Sequence, residues 1–152
     1  MPSKRAFTLI ELLIVIAIIG ILATISVVVL NSARVKSRDA KRVSDIQVLR
    51  AAFEQHWLEQ ASYPAAAAPG IDIGGAASSV LTSNGFETPP GTGTIYLPMV
   101  PTGPSSNEFY HYESTLSVGF ALRFTTEGAT TYGASGTYYA HSNGVDTDSS
   151  SK

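Results

Sequence analysis

Residues 7–30, FTLIELLIVIAIIGILATISVVVL, limit what this chain can become more than any other stretch. As a helix rising 1.5 Å per residue, a run of this length extends about 36 Å, beyond the ~30 Å hydrocarbon core of a bilayer. No proline interrupts it, and Gly20 is its only glycine. Leu, Ile, Val and Ala occupy every face, a pattern foreign to an amphipathic surface helix. A chain of 152 residues is too small to enclose such a helix in a soluble core. The rest of the chain is rich in Gly, Ser, Thr, Ala and Pro, so its own core is modest. With no cysteine, disulfides, thiolate zinc sites and cysteine nucleophiles are excluded.

Glu11 is the anomaly in this run. A carboxylate within a membrane helix is a functional-site hypothesis by default, and a cation is its natural partner. A secretory signal peptide would have a shorter apolar core followed by a small-residue cleavage site, for which ILATIS and VVLNSA are weak candidates. A plain anchor fits the length but gives Glu11 no purpose. A cut immediately before Phe7 would create an α-amino group four residues away. Between packed helices, the amine of one copy would meet Glu11 of another and favour one axial register.

The stretch MPSKRA-FTLIELLIVIAIIGILA resembles the N-terminus of type IV pilins and type II secretion pseudopilins. The resemblance rests on a short basic leader, an aromatic residue at the cut, Thr-Leu-x-Glu and the apolar helix. It implies cleavage between Ala6 and Phe7 by prepilin peptidase, N-methylation of Phe7, and pairing of Glu11 with a neighbouring subunit's N-terminus. Two departures stand out. Ala6 replaces the usual glycine before the cut, and Val28 stands where relatives often have a helix-breaking proline.

Charge is divided unevenly. Residues 1–50 hold eight Lys/Arg against three acids, and residues 51–152 hold two against nine. The acidic C-terminal part argues against a nucleic-acid-binding head. Arg34, Lys36, Arg38, Lys41 and Arg42 follow the apolar run and outnumber Lys4 and Arg5 before it. Positive-inside counting alone would keep the C-terminal part in the cytoplasm. The resemblance implies the opposite orientation, and its leader motif is the more specific signal. The basic stripe is read as a solvated juxtamembrane face opposite acidic heads of neighbouring copies, with lipid headgroups or DNA as other ligands.

From Asn31 to Ala61 no Pro or Gly occurs, and Ala40, Val43, Ile46, Leu49, Phe53 and Trp57 recur every three or four residues on one predicted face. Lys41 with Asp45, and Arg50 with Glu54, are spaced for i,i+4 pairing on the outer side. Tyr63-Pro64 closes the segment. Residues 62–106 hold seven of the eight prolines and are expected to be mostly loop, with a short strand at Ile95–Leu97. EFYHYES (108–114), SVGFALRFTTE (117–127) and GTYYAHS (136–142) have strand patterns. The predicted fold class is α+β: a long N-terminal helix, transmembrane then amphipathic, on a small antiparallel sheet of about three to four strands. The expected organisation is a leader (1–6), a transmembrane or filament-core helix (7–30), its amphipathic continuation (31–61) and a loop-rich β head (62–152).

No catalytic constellation appears. His56, His111 and His141 lack metal-site spacing, and His111, between two tyrosines, is assigned to the surface or a lightly packed position. GTGT (91–94) lacks the Lys-Ser/Thr of a phosphate loop. The chain is read as a non-enzyme. In the tail SNGVDTDSSSK, a polar, frayed terminus is the favoured reading; the alternative is calcium, since Asp146 and Asp148 offer hard oxygens suited to it and the resembled major pseudopilin of type II secretion has a calcium-stabilised C-terminal loop. No other cofactor is expected.

The resemblance implies a type IV pilus-like filament subunit in the inner membrane, crossing it once, and then in an extracellular or periplasmic filament. Its partners would be copies of itself, other pilins or pseudopilins, prepilin peptidase, and indirectly an assembly platform and ATPase. A type II secretion pseudopilin is the alternative. A membrane-anchored binding module and a DNA-uptake minor pilin are further readings.

Overall fold

A computed structural model describes residues 7–66, 69–115 and 119–150. The chain divides into two compact units, Met1–Lys36 and Ser37–Lys152. Helix α1 covers Leu9–Gln60 and passes from the first unit into the second. In the first unit it presents Leu, Ile and Val outward on every side, and its large apolar side chains from Leu9 to Leu30 are all exposed. An 18-residue window is apolar enough to cross a membrane, with none of it buried.

Within the second unit α1 becomes one-sided. Asp39, Arg42, Ile46, Leu49, Ala52, Phe53 and His56 are buried. The expected stripe is therefore right from Ile46 onward and wrong at its start. Ala40 is exposed and Val43 only half-buried. Asp39 and Arg42 take their place, because each charge meets a partner from the head. The helix ends at Gln60, followed by Ala61 in the left-handed region at φ 52°, whose N–H donates to the Trp57 carbonyl at 2.8 Å.

Eight strands follow among the described residues: β1 (Ile71–Ile73), β2 (Val80–Thr82), β3 (Gly85–Glu87), β4 (Ile95–Leu97), β5 (Tyr110–Thr115), β6 (Gly119–Thr126), β7 (Gly136–Ala140) and β8 (Val145–Asp146). They form a five-stranded sheet ordered β1-β5-β6-β7-β8 and a three-stranded sheet ordered β3-β2-β4. Every pairing is antiparallel. The three predicted principal strands are β5, β6 and β7, in meander order, and β4 is the predicted Ile95–Leu97. The count exceeds three to four because β1, β2 and β3 arise in the stretch expected to be loop and β8 in the tail.

Alternation explains how the sheet meets the helix. Tyr110 and Tyr112 on β5, Phe120, Leu122 and Phe124 on β6, and Tyr138 and Ala140 on β7 face inward. Phe53 stands at their centre, its ring 4.7 Å from Tyr112, 5.1 Å from Phe120 and 6.0 Å from Phe86. Burying each such ring contributes roughly 1.5–3 kcal/mol. Trp57, half-buried against the same core, stacks on Tyr63 at 4.8 Å. Gly70, at φ +87°, leads into β1 where an added Cβ would lie 2.7 Å from the Tyr112 carbonyl oxygen, so only glycine fits.

Candidate functional site

The start of α1 is built by four residues, Thr8-Leu9-Ile10-Glu11. A helix leaves its first N–H groups unpaired, and a Thr followed three residues later by Glu can satisfy two of them reciprocally. Here Thr8 N–H and Thr8 Oγ1–H both donate to Glu11 Oε2, at 2.8 and 2.7 Å, and Glu11 N–H donates to Thr8 Oγ1 at 3.3 Å. Glu11 thus closes the first turn of its own helix, a role that Thr-x-x-Glu before an apolar run announces and that the docking argument passed over. Phe7 is 85% exposed beside it. Ala6, the other half of the expected cleavage site, lies outside the described residues.

The basic stripe does not stay together as a solvated face. Arg34 and Lys36 are exposed. Arg38 forks onto Glu127, with Nε 2.8 Å from Oε1 and Nη2 on Oε2. Lys41 donates to Asp45 at 2.7 Å, as its spacing predicts, and to the Thr102 carbonyl. Arg42 is 4% exposed and pairs with Asp39 at 2.7 Å, Glu108 at 2.6 Å and Glu127 at 2.8 Å. Asp39 in turn accepts the Glu127 and Gly128 N–H groups at 3.0 and 2.7 Å, fastening the helix to the chain leaving β6. Arg38 and then Arg42 hold the Glu127 carboxyl down at about 2, and Arg42 likewise lowers Glu108. Arg50 does not pair with Glu54. It reaches the His141 and Ser142 carbonyls at 2.9 and 3.2 Å, while Glu54 accepts from Tyr63 Oη. Helical spacing allowed the pair, but the two carbonyls of the head claimed the guanidinium. A DNA-binding stripe needs these cations free, and three of the five are spent inside the head.

The tail is folded rather than frayed through Asp148. Asp146 Oδ1 accepts the Asp148 N–H at 2.8 Å and lies 3.1 Å from Nε2 of the fully buried His141, whose Nδ1 is 2.9 Å from the Phe120 carbonyl. Asp148 Oδ1 accepts the Ser150 N–H at 3.0 Å. Among the described residues no group of three or more His, Asp or Glu side chains converges as a metal site. His111 is half-buried, with Nδ1 2.8 Å from Asp72 Oδ1 and Nε2 2.7 Å from the Pro69 carbonyl.

Comparison with known proteins agrees with this N-terminal geometry. Residues 1–27 match the family described as "Prokaryotic N-terminal methylation motif". A fimbrial protein of Pseudomonas aeruginosa is 36% identical over 88 residues, 56% of this chain and 57% of that protein. The type II secretion system core protein G of Klebsiella michiganensis is 42% identical over 62 residues, covering 41% and 44% of the two chains. That of Escherichia coli K12 is 41% identical over 62 residues, covering 41% and 43%. Of seven curated relatives, five are core G proteins and two are fimbrial. The chain spans about half the length of the curated relatives it matches. No solved structure matches it. An N-terminal methylation motif and a partial likeness to fimbrial proteins and type II secretion core G proteins are thus what this chain has in common with known proteins.

Proposed function

We propose that the chain is a filament subunit of the pseudopilin kind, made as a membrane-anchored precursor and assembled through its N-terminal helix. One observation supports this above all: the methylation motif runs directly into a helix whose apolar surface is exposed on every side. Such a surface needs lipid first and neighbouring helices afterwards. Cleavage between Ala6 and Phe7 and methylation at Phe7 would place an amine next to the Thr8–Glu11 turn. Residues 7–30 would then act as membrane span and filament core, residues 31–61 as its continuation, and residues 62–152 as the head. Glu11 has one oxygen engaged by Thr8, and its other oxygen would receive the Phe7 amine of a neighbour.

The sequence motifs fit a pilus subunit and a secretion pseudopilin alike. The preponderance and higher identity of core G relatives support the secretion reading better, although the fimbrial match covers more residues. Calcium held by Asp146 and Asp148 remains a proposal, and each already accepts a backbone N–H.

Intact mass after co-expression with a prepilin peptidase tests processing. Loss of residues 1–6 and gain of one methyl group is expected. If both the native chain and Ala6→Gly stay whole, the filament reading fails and a plain anchor replaces it. Rescue of a strain lacking core protein G, without rescue of a strain lacking its major pilin, is the expected outcome for the secretion reading. The reverse would return the pilus reading to first place.

A further inference from the structure

The outer face of the five-stranded sheet holds a cation that forms no ion pair among the described residues, although Glu113 shares the face two positions along β5. Arg123 is exposed at the middle of β6, the central strand, in register with His111 on β5 and Tyr139 on β7. Apart from Lys152 it is the only Lys or Arg in residues 51–152, which hold nine acids. Among the described residues it makes no hydrogen bond or ion pair, whereas Arg38, Arg42 and Arg50 are all engaged. Asp72, on the same cross-strand row, is taken by His111.

Arg123 borders two clefts, of about 590 and 210 Å³. In the larger one the carboxylates of Glu108 and Glu127 are turned to Arg42 and Arg38, leaving the Arg123 guanidinium as the uncommitted charge. Phe109, 41% exposed, the Tyr139 ring and the hydroxyls of Thr125 and Thr137 complete the lining. Arginine and aromatic rings around a polar pocket are the composition of protein-interface anchors. An extended polyanion would be repelled by the surrounding acids, whereas a single carboxylate on a protein would be accepted.

We propose that this face docks an acidic side chain from the head of a second copy, with Arg123 as its anchor. The inference rests on the filament reading, which brings copies side by side. Heads of like charge repel, so Arg123, the one unpaired Lys or Arg among the described residues after position 51, marks where two of them attract and fixes their mutual rotation.

The test uses the full chain in membranes, with a photo-crosslinking residue at Thr137, in wild-type, Arg123→Glu, Arg123→Lys and Glu11→Leu backgrounds. Wild type is expected to crosslink to a second copy. Arg123→Glu should lower that yield about tenfold or more, and Arg123→Lys should keep most of it. Unchanged Trp57 fluorescence confirms a folded head. A yield in Arg123→Glu equal to wild type, or capture of a different protein, overturns the inference. Loss in Glu11→Leu alone leaves the filament reading standing and sinks this one. Loss in Arg123→Glu alone supports head docking and counts against Glu11 as the assembly device.

Discussion

Asp39 is the residue whose removal the head should tolerate least. Its carboxylate, 3% exposed, accepts three hydrogen bonds: from Arg42 Nη1 at 2.7 Å, Glu127 N at 3.0 Å and Gly128 N at 2.7 Å. In Asp39→Ala two backbone N–H groups lose their acceptor, each worth about 1–3 kcal/mol when left unsatisfied. Arg42, also buried, keeps Glu108 and Glu127, so its loss is partial. The total is about 3–5 kcal/mol, a large share of the roughly 5–15 kcal/mol that holds a domain folded. Asp39→Asn retains one acceptor oxygen but turns an NH₂ toward a donor, and should fall between. Urea unfolding of the full chain in detergent reads this through Trp57, the single tryptophan, stacked 4.8 Å from Tyr63. Lys36→Ala, on an exposed side chain outside this network, serves as the control and should stay within about 0.5 kcal/mol of wild type. A loss below about 1 kcal/mol for Asp39→Ala would refute the argument that these buried charges fasten helix to head.

Three further outcomes are expected. Phe53→Ala should cost about 3–5 kcal/mol in the same assay, since it empties the centre of the aromatic cluster; a cost near 1 kcal/mol would mean the cluster closes over the gap. Ala61→Gly should gain about 1 kcal/mol, because φ 52° suits glycine better than alanine; no gain would place Ala61 under no strain. Glu127, held at about 2 against an ordinary 4.5, contributes stability that is complete above pH 4.5 and is lost as pH falls toward 2. Urea midpoints of wild type should therefore drop across that window more steeply than those of Glu127→Gln, and parallel slopes would contradict the pairing.

What the residues announced was governed by periodicity. The apolar run, the Ile46–Leu49–Phe53 stripe and strands β5 to β7 all have patterns that local geometry dictates. β1 to β3 were illegible because three-residue strands among Gly, Pro and Ser have no period to read, and only pairing partners such as Tyr110 and Tyr112 define them. Charged residues misled most. Arg42 and Asp39 look like surface residues until Glu108 and Glu127, more than 60 positions away, arrive to neutralise or accept from them. The Thr8–Glu11 turn was readable from its spacing, whereas nothing in the sequence distinguished Arg123, whose lack of a partner among the described residues only the fold reveals.

The Thr8–Glu11 turn leaves the carboxylate with one hand occupied. An approaching amine could be met from one direction only, so the contact would be directional rather than a diffuse attraction between charges. Cap and dock would also share a single side chain. Truncating Glu11 therefore loosens the helix start and removes the charge together, which confounds any assembly defect that follows. Glu11→Gln separates the two, keeping an oxygen for Thr8 while withholding the charge, and a filament that tolerated it would owe its register to something other than Coulomb attraction.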